Sequence, residues 1–276
     1  MILVTGATGT VGSGVCRELE SQSVRVRAAV RTPDQFEGVA DEVVRFDFTD
    51  PTTYHETFAG ADSMFLVRPP ALSRVRRDIV PALAAAVGAG VDHVVFLSVI
   101  GADRNPLVPH ARIESWLDES GIETTHLRAS FFMQNLLTEH RGEIETGELC
   151  VPAGRGETSF VDARDVAAVG AKALTGPIAG AYDLTGPEAL NYAEVAQILS
   201  RELSHEVQYR RPSLPRFVYQ QYRSTGDFRK AVVMAGIYTT ARFGFAGRVT
   251  EDCGRLLERE PGDFETFVQD HRDEWH

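Results

Sequence analysis

Short apolar runs alternate with amphipathic stretches through the first half of the chain. Ile2-Leu3-Val4-Thr5 reads as a buried strand, followed by a glycine-rich turn and a helix to about Leu19. Further strands are predicted over 24–30, 43–46, 63–67, 94–98 and 124–128. A long alanine-rich helix is predicted over 75–87, kinked at Pro81, and another over 112–120. Pro109 stands near the first turn of that last helix and Gly121 is its stop signal. Strands alternating with helices predict βαβ units, hence an α/β fold with a Rossmann-type doubly wound parallel sheet. Such sheets bind ligands beyond the carboxyl ends of their strands.

The rhythm changes after about residue 130. The pattern predicts a helix over 131–139, a short extended piece and a helix within 160–174, and a strand at 182–184. An amphipathic helix follows over 192–203, with Val195, Ile198 and Leu199 on one face. From Pro212 onward the chain reads as helical and aromatic, with Phe217, Tyr219, Tyr222, Phe228 and Tyr238. Residues 1–185 are therefore expected to form the dinucleotide-binding domain, with 131–160 contributing to its cleft. Residues 186–276 are expected to form a smaller, mainly helical substrate-binding lobe that closes over the cofactor.

The turn after the first strand carries the strongest chemical signal. Gly6-Ala7-Thr8-Gly9-Thr10-Val11-Gly12 follows an apolar strand and opens a helix. A pyrophosphate needs close backbone approach and free amides at a helix N-terminus. Gly6 permits the tight turn, Gly9 leaves the phosphates unobstructed, and Gly12 allows the helix to pack closely on the sheet. The second strand ends Val30-Arg31-Thr32, without the acid that binds ribose hydroxyls in NAD-specific folds. A guanidinium there suits the 2′-phosphate of NADP; a plain surface arginine is the alternative. NADP(H) is the expected cofactor, with NAD(H) the second choice. Asp47, with Phe48, ends the third strand, where an acid can bond the adenine amino group or simply close a turn. Asp50 is the better N-cap ahead of Pro51. Val67 and Arg68 leave the fourth strand, where their backbone is expected to pass the adenosine, and Ser98 ends the fifth, near the ribose.

Composition excludes more than it adds. A net charge of −11 argues against nucleic acid as a partner, since phosphate binding needs a basic footprint. Arg74, Arg76 and Arg77 form a small basic cluster, read as a solvated helix face. Three scattered cysteines, Cys16, Cys150 and Cys253, predict neither a disulfide framework nor a metal site, and suit a reducing, cytoplasmic setting. No apolar stretch reaches the ~18 residues of a membrane span, and no basic, then apolar, leader opens the chain.

Several segments together resemble the NmrA-like group of atypical short-chain dehydrogenase/reductases. They are Val4-Thr5-Gly6-Ala7-Thr8-Gly9 with Gly12, Phe96-Leu97-Ser98, residues 127–135 (LRASFFMQN), residues 160–167 (FVDARDVA), Tyr238-Thr239-Thr240-Ala241-Arg242, and Trp275. The resemblance spans essentially the whole chain. It implies a Rossmann-type fold and NADP(H) binding. Members include NADPH-dependent quinone oxidoreductases and azoreductase-like enzymes, and also redox-sensing regulators that bind the cofactor without known chemistry. It further implies that Ser130, Phe131 and Phe132 approach the nicotinamide, where the two rings are either an aromatic wall for a planar substrate or part of the core.

Short-chain dehydrogenases usually carry Tyr-x-x-x-Lys. This chain cannot: its only lysines are Lys172 and Lys230, and Ala168 and Gly226 stand four residues before them. By the register of the related sequences the lysine position falls on His110 and the tyrosine position on Pro106. Glu114 follows His110 by one helical turn. His110 is a candidate donor to the ribose or carboxamide, or a general acid; the alternative is a helix-start histidine without a role. Glu114 is either an acid of the site or a solvated residue paired with an arginine. Asp165 reads as structural.

Without the usual acid, hydride transfer to an activated acceptor such as a quinone is favoured, because its product anion takes a proton from water. The expected substrate is small and aromatic or quinone-like, and a homodimer is compatible with the sequence. The second reading is an NADP(H)-sensing regulator that binds a protein partner and turns nothing over.

Overall fold

The computed structural model describes residues 1–275, which divide into two compact units. The first comprises Met1–Ala129, Ala163–Leu184 and Arg255–Glu258; the second comprises Ser130–Asp162, Thr185–Gly254 and the chain from Arg259 on. The division expected at 185/186 thus differs in two respects: residues 130–162 fall in the second unit, and Arg255–Glu258 falls in the first.

The first unit is built on seven strands: β1 (Ile2–Thr5), β2 (Val26–Val30), β3 (Glu42–Arg45), β4 (Ser63–Leu66), β5 (His93–Val99), β6 (Glu123–Ala129) and β7 (Gly180–Leu184). All neighbouring pairs are parallel, in the order β7-β6-β5-β4-β1-β2-β3. The order reverses between β1 and β4, the switch point at which doubly wound sheets take their ligands. Every residue of β1 and β2 is buried, as continuous apolar runs require in a sheet covered on both faces. The edge strand β3 buries only Val44.

Six helices complete this unit: α1 (Thr10–Ser21), α2 (Tyr54–Phe58), α3 (Val75–Asp78), α4 (Val80–Gly88), α5 (Pro109–Glu119) and α6 (Ala163–Thr175). Helices α1 and α6 touch across small residues. A Cβ on Gly14 would lie 2.7 Å from that of Ala167, and one on Gly170 would lie 2.8 Å from the Phe65 ring. A second layer buries Phe58, Ile79, Leu83, Ile113 and Leu117 of the helical side with Phe46, Leu66 and Phe96 of the strand side. The predicted helix over 75–87 is two helices that break at Ile79. Pro81, which has no amide to donate, stands in the first turn of the second. Helix α5 begins at Pro109, earlier than predicted, and Gly121 beyond its end has φ +80°.

The second unit carries three two-stranded ribbons and four longer helices: Tyr192–Leu203, Leu214–Thr225, Phe228–Arg242 and Phe264–Asp270. Asn191 and Glu194 close a capping box on the first of these. Its core gathers Phe160, Tyr192, Phe217, Tyr238, Phe264, Phe267 and Trp275. The helix predicted over 131–139 is corrected here. Phe131–Phe132 pairs in parallel with Phe160–Val161, and only Asn135–Thr138 is helical. The strand pairing wins because the Met133 amide donates to the Val161 carbonyl (3.0 Å), and the Gln134 side chain then donates from Nε2 to Asp162 Oδ1 (2.8 Å). No helix among the described residues is long and apolar enough to cross a membrane.

Candidate functional site

The glycine loop lies at the carboxyl end of β1, beside the switch point. Gly6 has φ +63°, and a Cβ there would meet the Val67 Cβ at 2.9 Å. The Gly9 amide donates to the Gly6 carbonyl (2.9 Å), closing the turn. Gly9 is the N-cap of α1 and offers no side-chain acceptor; the first cap-to-helix bond runs from the Ser13 amide to the Gly9 carbonyl (2.9 Å). The amides of Thr10, Val11 and Gly12 precede that bond, and a helix supplies no partner for its first amides. No acid stands in this first turn. Donors and dipole together make it an anion site.

Gly12 has a role different from the one expected. A Cβ on it would strike the loop itself, 2.2 Å from the Gly6 carbonyl oxygen and 3.1 Å from the Ala7 nitrogen. Close helix packing is the work of Gly14 and Gly170 instead. The loop is also pinned from β4: Thr5 Oγ1 donates to the Phe65 carbonyl (3.1 Å) and accepts from the Val67 amide (2.8 Å). Thr5 was not singled out in the sequence. Its place as the polar last residue of an otherwise apolar strand was the available signal.

Around this loop the strand ends carry charge. Arg31, at the end of β2, is exposed and has no ion pair among the described residues. Asp47 Oδ1 accepts from both the amide and the hydroxyl of Thr49 (2.7 Å each), an Asx turn. Its other carboxylate oxygen makes no such bond. The Phe48 ring is buried against Phe46 (4.7 Å between centroids), so only its backbone is available to a ligand. Asp50 caps the turn ahead of Pro51 by accepting from the Thr52 amide. Arg68 folds back on its own loop, donating from Nη1 to the carbonyls of Pro69, Pro70 and Leu72 (2.9, 3.1 and 3.0 Å). Its Nε is buried without a partner, and burial lowers the guanidinium's pKa.

At the carboxyl ends of β5 and β6, Ser98, Glu114 and Arg128 form one buried cluster. The Ser98 hydroxyl donates to Glu114 Oε1 (2.5 Å). Arg128 reaches both Glu114 oxygens, with its Nη2 2.7 Å from Oε2. Glu114 is 4 % exposed, so it is not a solvated helix residue, and both its oxygens are engaged by Ser98 and Arg128. It ties α5 to the strands. Arg128 belongs to the family-like segment but carried no predicted role, since nothing in the spacing of residues 114 and 128 announces a contact. His110, one turn before Glu114, stacks on Phe96 (5.9 Å, 26°). Burial, helped by the nearby Arg68 charge, pushes its pKa down to about 4. His110 is therefore a neutral imidazole at pH 7, able to donate or accept a hydrogen bond but unsuited to act as a general acid there.

A strand-ended glycine loop at the switch point, a cation after β2, and a family-like signature at β6 set the terms for comparison with known proteins. The NmrA-like family model matches residues 1–241. The chain belongs to the NmrA-like family. It is 38% identical over 221 residues to the NAD(P)H azoreductase of Xenophilus azovorans, covering 76% of each chain. It is 27% identical over 247 residues to quinone oxidoreductase 2 of Escherichia coli, covering 86% of this chain and 82% of the relative. In fold it matches the E. coli NADPH-dependent quinone oxidoreductase QOR2, solved with NADPH, at a TM-score of 0.88 and 23% identity, over 98% of this chain and 99% of that one.

Of the remaining NmrA-like segments, residues 130–135, 160–162 and 238–242 and Trp275 lie in the second unit, while 163–167 open α6 of the first. Ser130 Oγ and Ser159 Oγ share a hydrogen bond (3.0 Å). The Phe131 ring packs edge-on against Phe160 (5.6 Å) and beside Tyr238 (5.9 Å), as part of that unit's core, while Phe132 is half-buried. Of the C-terminal aromatics, Phe217 and Tyr238 are buried, whereas Tyr219, Tyr222 and Phe228 are exposed. Tyr238 is bonded through its hydroxyl to His140 Nε2, and His140 Nδ1 to Glu143 (3.0 Å). Among the described residues no group of His, Cys, Asp and Glu could hold a metal ion.

Proposed function

We propose that the chain is an NADP(H)-dependent oxidoreductase that passes hydride to a small, planar, electron-poor acceptor such as a quinone or an azo compound. The observation that carries the reading is the glycine loop with its three uncapped first-turn amides beside the unpaired Arg31. The donor set fits a dinucleotide: Thr10, Val11 and Gly12 would hold the pyrophosphate, with Gly6, Thr8 and Gly9 giving it room. Arg31 would take the 2′-phosphate. The backbone of Asp47, Phe48, Val67 and Arg68 would line the adenosine side. The acceptor class is supported by the names of the two relatives, one an azoreductase and one a quinone oxidoreductase.

When bound, the reduced nicotinamide supplies the hydride. Ser98 and Arg128 hold α5 through Glu114, at its middle, and so position His110 one turn earlier. Neutral His110 would donate a hydrogen bond to the ribose or carboxamide. The acceptor gains two electrons and one proton as hydride, and the second proton comes from water, because no Tyr-Lys pair is present to give it. An electron-poor acceptor tolerates that arrangement, whereas a general acid would otherwise be worth about 10²–10⁴-fold.

The test is loss of NADPH absorbance with a panel of quinones and azo compounds, alongside NADH. Turnover with NADPH preferred is expected. Tight NADPH binding with no consumption across the panel refutes the enzyme and leaves a cofactor-sensing regulator.

A further inference from the structure

The first unit contains a cavity on the outer face of α5, where it meets the start of α3. Its volume is about 670 Å³, within the range of small-molecule sites. Ala111, Arg112, Ser115, Trp116 and Glu119 follow the helical repeat on this face, opposite Ile113, Glu114 and Leu117, which point into the unit. The reading of Arg74, Arg76 and Arg77 as a merely solvated helix face changes here, because all three line this cavity together with Arg112.

Four arginines line one cavity in a chain whose net charge is −11. Asp78 compensates part of this charge: Arg77 forks onto it, with Nη2 3.1 Å from Oδ2, and the Arg74 charge also acts on it. Arg74, Arg76 and Arg112 have no carboxylate within ion-pair distance among the described residues. Arg112 instead donates from Nε to the Pro106 carbonyl (3.3 Å), which fixes its direction. Glu119, the acid on the rim, accepts from Ser115 (3.1 Å). Like charges gathered in this way repel unless an anion sits among them. The half-buried Trp116 adds a flat apolar wall. Guanidinium forks match planar or tetrahedral oxyanions, and an indole face matches an aromatic ring.

We propose that this cavity binds an aromatic ligand carrying two or more anionic groups, as a site separate from the glycine loop. A nucleoside polyphosphate and a sulfonated aryl compound share that chemistry. A second copy of the chain placed here about a two-fold axis would set these arginines against their own copies, which disfavours self-association.

The test is calorimetric titration of the full chain with saturating NADP⁺ present, so that the glycine loop is filled. The probes are naphthalene-1,5-disulfonate, ATP, inorganic pyrophosphate and naphthalene methanol as the uncharged control. Naphthalene disulfonate or ATP should bind while the control does not; whichever is tighter identifies the source. The double variant Arg74→Gln/Arg112→Gln should weaken binding at least about tenfold, the scale of one charge-assisted hydrogen bond. Both side chains are exposed, so the variant should fold; circular dichroism checks it. Trp116→Leu should weaken the aromatic probes about tenfold and leave pyrophosphate within about twofold, as loss of a stacking face implies. Absence of heat with every anionic probe overturns the proposal. So does binding that the double variant leaves unchanged, or a dimer that the double variant breaks with no anion bound.

Discussion

Replacing Gly12 with alanine puts a methyl where the loop's own backbone already lies. Its carbon would stand 2.2 Å from the Gly6 carbonyl oxygen and 2.7 Å from that carbonyl carbon. No side chain can rotate away, so loop and helix start must part by about 1 Å to restore ordinary contact. Overpacking of this kind costs about 1–3 kcal/mol. Alanine's helix preference returns at most about 1 kcal/mol, leaving a net loss of roughly 0–2 kcal/mol. Cofactor affinity is the sharper readout. Amides displaced by that distance lose hydrogen bonds to a charged group worth about 1.5–3 kcal/mol each, so the Kd for NADPH should rise at least about tenfold. The assay is calorimetric titration with NADPH beside urea unfolding. Gly236→Ala is the matched control: it lies inside the helix Phe228–Arg242, and a Cβ there meets nothing within 4 Å. That variant should gain about 0.4–1 kcal/mol and leave NADPH binding unchanged. A Gly12→Ala protein with wild-type NADPH affinity would refute the reasoning.

Three other outcomes follow from the site. Arg31→Gln should weaken NADPH about tenfold more than NADH in parallel titrations, the scale of one charge-assisted bond; equal weakening removes Arg31 from the 2′-phosphate. Glu114→Gln leaves the half-buried Arg128 with only the more distant Asp103 carboxylate (3.9 Å) and should cost about 1–3 kcal/mol in urea unfolding; a loss under about 1 kcal/mol means the pair is unimportant. His110 has a folded pKa near 4 against 6.5 unfolded, so the unfolded chain binds the extra proton between those values. Wild type should therefore lose stability relative to His110→Gln as pH falls from about 6.5 to 4, by about 3 kcal/mol in all. Parallel stability–pH curves for the two proteins would contradict the assignment.

Helix and strand periods made the parallel sheet legible, because β1, β2, β4 and β5 are apolar runs separated by helical patterns. The glycine loop was legible as a motif, since three glycines after a buried strand serve few other ends. The division of labour within it was not. Gly12 and Gly14 look equivalent in sequence, and only the path of the Gly6 carbonyl and of α6 separates loop clearance from helix contact. Residues 131–139 misled because Phe-Phe-Met satisfies a helical stripe as well as a strand; the choice was made by the Phe160–Val161 backbone, distant in sequence. Glu114 was legible only in part: an arginine partner was expected, its burial was not. Helical spacing placed it beside His110, but its burial and its bonds come from Ser98 and Arg128 on two other strands.

The first unit is not continuous in the chain. It is interrupted after Ala129, resumes with α6 and β7, and takes its last piece from Arg255–Glu258, where Lys172 Nζ meets the Leu256 carbonyl at 3.1 Å. During synthesis the glycine loop and its first six strands emerge early. The helix that packs on α1 through Gly14, and the strand that covers the β6 edge, emerge only after the first part of the second unit. Until then β6 is an open edge and α1 lacks its partner, the condition in which nascent sheets are prone to wrong pairing. The order of manufacture thus leaves α1 and the β6 edge without their partners until residues 163–184 have been made, and a cut that separates those residues from 1–129 should destabilise the first unit.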